Sequence, residues 1–247
     1  MSHYIHSSIN SIILLITFLI IDSMDEDTAY ISELENTIEK LLSPIHGIPF
    51  HITIKALAGK RVFQINLSES KDKKLVEKIS QAAEIALKNA NDEGIFRNRP
   101  NEVGNDIETF VKDALFEIGF SPDTPQRADG VRQATGYPDI YFMDDFNRHI
   151  YLECKTFNKA NINTTQRAFY LSPSITGNSK IIYDAPHLIL SFQIKQINRD
   201  GKRCYIPVAW KLVDIYSMKL DVKHEFNASN RDIYQENTIL AEKTYEC

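Results

Sequence analysis

Asp139, Glu153 and Lys155 are the residues whose types and spacing suit work on a metal ion. They fall in Gly136-Tyr-Pro-Asp-Ile-Tyr-Phe-Met143 and His149-Ile-Tyr-Leu-Glu-Cys-Lys155. Side chains alternate along a strand, so Glu153 and Lys155 share one face while Leu152 and Cys154 take the other. Two charges at the end of an otherwise apolar strand are costly to bury without a partner. A cation supplies one, and a short hairpin would bring Asp139 beside Glu153. Paired carboxylates suit Mg²⁺, a hard ion that keeps several of its waters. The alternative is that Asp139 caps a turn and Glu153 and Lys155 form a surface ion pair on an edge strand.

Pro138-Asp139, thirteen residues, then Glu153-Cys154-Lys155 resembles the PD-(D/E)XK signature of restriction-endonuclease-like nucleases. The resemblance covers residues 99–160. It implies that Asp139 and Glu153 bind Mg²⁺ and that Lys155 positions or activates the attacking water. The scissile phosphate would then part into a 3′-hydroxyl and a 5′-phosphate. Members of that family also tend to carry an acid on the helix before the first catalytic strand. Gly104-Asn-Asp-Ile-Glu108 is similar to that helix, which makes Glu108 the candidate and Glu102 the second choice. Glu108 could equally be a solvated charge.

Three polar stretches could touch DNA. Arg127, Arg132 and Gln133 precede Asp139 and could reach phosphates near the scissile bond. Asn158, Lys159, Asn161, Asn163, Thr164, Gln166 and Arg167 lead out of the Lys155 strand. They offer amide and hydroxyl groups for adenine and phosphate, with Arg167 for guanine. Asn227, Asn230 and Arg231 form a similar run. Solvated loops have the same composition, so position beside the chemistry favours the second stretch. Cys154, pointing away from the charges, reads as a buried structural thiol. His149 reads as a pairing or turn residue.

The elements that must position these residues are legible in outline. Tyr30–Leu42 has helical spacing. Phe50–Ala56 and Arg61–Leu67 alternate around Gly59, which predicts a β-hairpin. Lys71–Asn89 returns to helical period, and Asn91-Asp-Glu-Gly94 reads as a linker. A helix follows from Arg99, with Val103, Ile107, Phe110, Val111, Ala114 and Ile118 inward and Gly119 closing it. Strands are expected at Asp139–Met143, His149–Cys154, His187–Ile197 and Arg203–Lys211, the last two joined by Asp200-Gly201. A final helix is expected at about residues 230–241. This order reads as an α/β protein, a restriction-endonuclease-like mixed β-sheet core flanked by helices, with a small αββα N-terminal unit. The units expected are 1–23, 24–95 and 96–247.

Composition allows this and excludes other classes. The chain has 247 residues, 43% hydrophobic and 25% charged, with no low-complexity tract. Its net charge of −5 advertises no global affinity for nucleic acid, although an acidic protein can hold a local basic groove. Cys154, Cys204 and Cys247 form no C-x-x-C pair, so no structural zinc or disulfide framework is indicated, and a cytoplasmic setting fits. Ile12–Ile21 is apolar yet too short for a comfortable membrane span. Residues 1–23 are therefore read as sequence upstream of a start at Met24, as a cryptic signal or anchor, or as an unusual buried segment. The resulting expectation is a type II restriction endonuclease that cuts double-stranded DNA with Mg²⁺, as a homodimer without a membrane partner. The rivals are a structure-specific or repair nuclease of the same fold and a non-catalytic DNA-binding protein.

Overall fold

The computed structural model describes residues 28–40, 43, 45–161, 163, 164, 168–172, 179–223, 229, 231, 235, 239, 241 and 243. It falls into two compact units, Gly47–Leu220 and Met1–His46 with Asp221–Cys247. In the second unit helix α1 (residues 28–40) takes the place expected from its spacing, and its described side chains are exposed. The apolar run Ile12–Ile21 and most of the helix expected at 230–241 lie outside the described residues. Among the described residues no helix is long and apolar enough to cross a membrane.

The larger unit is built on a four-stranded sheet in the order β2 (Ile140–Met143), β3 (His149–Phe157), β4 (His187–Arg199) and β5 (Lys202–Asp214). β3 runs antiparallel to β2 and parallel to β4, and β5 closes antiparallel on β4, so the sheet is mixed. A short pair, β1 (Ile48–Pro49) with β6 (Lys219–Leu220), joins the ends of this unit. The turn between β4 and β5 has φ of 53° at Asp200 and 74° at Gly201. Positive φ at both central residues is the turn whose twist matches that of its flanking strands.

One face of the sheet is covered by α3 (Ser70–Glu93) and α4 (Val103–Glu117). Alanines 82, 83, 86 and 90 of α3 are buried, a small-residue stripe that lets backbones approach closely. α4 buries Val103, Ile107, Val111, Ala114 and Leu115, against Phe142, Ile150, Leu152 and Cys154 of the sheet. Phe110 and Ile118 pack at the margin of this core. Arg148, in the β2–β3 turn, ties the start of α3 to the sheet by ion pairs to Asp72 and, at 2.7 Å, to Asp144. On the opposite face a second cluster gathers Phe50, Ile54, Tyr137, Tyr151, Ile189 and Ile215.

Two expectations are corrected. The hairpin over residues 50–67 does not form. Phe50–Ala58 is helix α2, which buries Phe50 and Ile54 one turn apart and leaves Ile52 half exposed. Phe-His-Ile-Thr-Ile alternates, but it also satisfies i, i+4 spacing. Burial decided between the two, and Gly59 (φ 68°) is a left-handed helix cap rather than a hairpin turn. Residues 61–67 make one bridge, Val62 to Ala185. The supposed linker 91–94 is the last turn of α3 and its capping glycine. The αββα unit therefore has no strand pair, and α3 shares one core with α4 and the sheet.

Candidate active site

Register places the acids. β2 and β3 pair Ile140 with Leu152, so one step further Asp139 stands across from Glu153. Alternation then puts Tyr141, Tyr151, Glu153 and Lys155 with Asp139 on the face away from α4. Cys154 points the other way, fully within the helix-side core, as its position on the strand predicted. Burial pushes its thiol pKa well up, so it stays a protonated packing group.

Asp139 is held from its neighbour strand: Oδ2 accepts the Cys154 backbone N–H at 2.9 Å. The residues before it are anchored too. The Tyr137 hydroxyl and His187 Nδ1 share a hydrogen bond of 2.6 Å in a buried aromatic setting. Burial lowers the His187 pKa to about 3, so this imidazole is neutral. Lys180 donates to the carbonyls of Gly136 and Thr135.

Glu153 is 3% exposed. Its Oε1 pairs with the Lys155 ammonium at 2.6 Å, and Oε2 is buried with no hydrogen-bond partner among the described residues. Burial first, then the Asp139 charge, raises the Glu153 pKa to about 7. Asp139 is raised as well, by burial and then by Glu108, against the pull of the Cys154 N–H. Two destabilised carboxylates and an orphaned oxygen form a hard-oxygen donor set that fits a divalent cation. Among the described residues no three acids, histidines or cysteines gather closely enough to enclose a metal. What the site offers is a pair of acids.

Glu108 projects from α4 near enough for its charge to act on Asp139, but Lys112 holds its carboxylate at 2.7 Å. Glu102 is exposed and closes the start of the helix through the Arg99 N–H. His149 shares a 2.7 Å hydrogen bond with the Tyr141 hydroxyl and stacks on Tyr183, a pairing role. Next to the acids a cavity of about 110 Å³ opens between Thr124, Tyr141, Tyr151, Lys180 and Tyr183. It has room for a few waters.

Among the described residues, the polar stretches engage partners of their own. Arg127 pairs with Asp129, Arg132 with Asp123 at 2.6 Å, and the Gln133 amide donates to Thr135 O. Asn158 Oδ1 accepts the Ala160 N–H, which turns the chain out of β3. Lys159, Asn163 and Thr164 are exposed, and Asn161 lies in a single 3-10 turn, Lys159–Asn161. Arg231 is exposed in the other unit. Gln166, Arg167, Asn227 and Asn230 lie outside the described residues. Lys180 is the residue that sequence reading missed. It belongs to no motif, and its burial among acids comes from the return of the chain into β4.

An α/β unit with a mixed sheet flanked by helices, and paired acids at adjoining strands, has the architecture of restriction-endonuclease-like proteins. A sequence model of the type II restriction enzyme MjaV family matches residues 45–237, and the chain belongs to that family. The type II restriction enzyme MjaV of Methanocaldococcus jannaschii is 38% identical over 231 residues. That match covers 88% of this chain and 98% of the relative.

Proposed function

We propose that this type II site-specific deoxyribonuclease cuts DNA at the centre formed by Asp139, Glu153 and Lys155, with Mg²⁺ as its ion. The observation that carries the assignment is the buried, unpartnered Oε2 of Glu153 across from Asp139. Family membership supports DNA as the substrate and a divalent metal as the requirement.

Asp139 and Glu153 would hold Mg²⁺. When bound, the ion supplies a water of lowered pKa and neutralises charge on the phosphate oxygens. The Cys154 N–H keeps Asp139 aimed at the site. Glu153, with a pKa near 7, must shed its proton to act as a ligand. Lys155, with a side chain 29% exposed, presents its ammonium at the mouth of the site, where charge develops on the phosphate. Glu108 tunes Asp139 through its charge. Arg127, Arg132, Gln133 and the run from Asn158 to Arg167 are assigned to the DNA, as are Asn227, Asn230 and Arg231. A homodimer is assigned from the match between two-fold sites and two-fold proteins, and the setting is the cytoplasm.

The test is digestion of unmethylated phage DNA by purified protein, with Mg²⁺ and with EDTA, read on a gel. Discrete fragments with Mg²⁺ and intact DNA with EDTA are expected. Cleavage that survives EDTA would sink the metal reading.

A further inference from the structure

Lys180 is a cation buried to 5% exposure, and the roles assigned above do not use it. Burying an ammonium costs several kcal/mol unless partners take up its charge and donors. The nearby acids are already engaged: Glu108 by Lys112, Glu153 by Lys155, and Asp139 by the Cys154 N–H. Lys180 instead donates to two backbone carbonyls, those of Gly136 and, at 3.5 Å, Thr135. Burial lowers the Lys180 pKa, and the charges of Asp139, Glu153 and Glu108 work against that shift.

Those carbonyls sit just before Pro138-Asp139. Gly136 has φ of 80°, a left-handed conformation in which its carbonyl turns toward Lys180. The lysine stem lines the same cavity as Tyr141 and Tyr151, the strand neighbours of the two acids. A lysine serving packing alone would be replaced without loss by an apolar chain of similar length. This one spends its donors on the segment that delivers Asp139.

We propose that Lys180 is a positioning residue of the nuclease centre: by clamping the Thr135 and Gly136 carbonyls it fixes Asp139 across from Glu153. The proposal rests on the reading of Asp139 and Glu153 as the metal-binding acids. Misplacing a reacting group by a fraction of its reach slows chemistry more than binding.

The test compares wild type, Lys180→Met and Lys180→Arg on a plasmid that the wild type cuts. Single-turnover rates are measured at saturating enzyme, with DNA affinity in Ca²⁺ and melting temperature alongside. Lys180→Met is expected to cleave about 10- to 100-fold more slowly, the usual cost of losing an outer-shell partner. Its affinity and melting temperature should hold, and Lys180→Arg, which keeps charge and donors, should recover most of the rate. Should the Met variant fail to fold, Lys180→Gln is judged by the same comparison. A wild-type rate in the neutral variants, an Arg variant no better than Met, or a loss confined to DNA affinity would each overturn the proposal. Asp139→Asn runs in parallel. If that variant cleaves, the site reading itself fails, whatever Lys180 does.

Discussion

The backbone N–H of Cys154 donates to Oδ2 of Asp139 at 2.9 Å, so the strand carrying the second acid also fixes the first. Asp139 lies one residue before β2, so this bond ties it to the strand of Glu153 while Lys180 holds the chain just behind it. Rigid strands hold such pairs more accurately than loops do. The consequences can be measured one at a time.

Asp139→Asn and Glu153→Gln should each slow cleavage by about 1000-fold or more, since several kcal/mol of metal-derived stabilisation would be lost. Glu153→Gln should melt no lower than wild type, because it removes a carboxyl that burial disfavours. A Gln variant cutting at the wild-type rate would remove Glu153 from the centre.

The pH dependence follows from the raised Glu153 pKa. A carboxyl at about 7 when folded and 4.5 in its ordinary state binds more protons in the native protein between those values. Metal-free stability should accordingly fall as pH rises from about 4.5 through about 7, by a few kcal/mol at most. Cleavage should rise over the upper part of the same window, as the acid pair sheds its proton and becomes able to ligate. Thermal melts in EDTA and initial rates with saturating Mg²⁺ read the two trends, and Glu153→Gln should flatten the first.

Arg148→Met should destabilise the protein by about 3–5 kcal/mol, because it strands the buried carboxylates of Asp72 and Asp144. Below its lowered melting point the variant should still cleave, since the cluster lies on the helix side of the sheet. Urea unfolding checks the first statement and a digest at low temperature the second.

Gly94→Ala should cost roughly 1–3 kcal/mol. Gly94 has φ of 75°, and a Cβ there would sit 2.7 Å from both the Arg199 guanidinium and Cys204 Sγ. A calorimetric melt within a degree of wild type would contradict this.

The site was legible where period alone decides geometry. Alternation in His149–Lys155 places Glu153 and Lys155 on one face and Cys154 on the other, whatever surrounds the strand. The Asp200-Gly201 turn was legible for the same reason, since few dipeptides accept two positive φ values. Phe50–Ala58 was not, because its pattern meets both periods and the choice fell to partners such as Tyr137 and His187, far along the chain. Lys180 was invisible for a related reason: its significance is its burial, which no local spacing encodes. For the polar runs, composition could not separate DNA contacts from loop chemistry. Arg127, Arg132, Gln133 and Asn158 all make short-range contacts in the free protein.

The margins of the sheet have a consequence for self-association. β2 is four residues long, and Asp123 already pairs with its outer side at Tyr141. β5 carries Pro207, which has no N–H to give, next to the register shift opposite Gln193 and Ile194. Neither rim offers an uninterrupted row of donors and acceptors to a strand from outside. A strand from a second copy would find neither rim ready to extend the sheet.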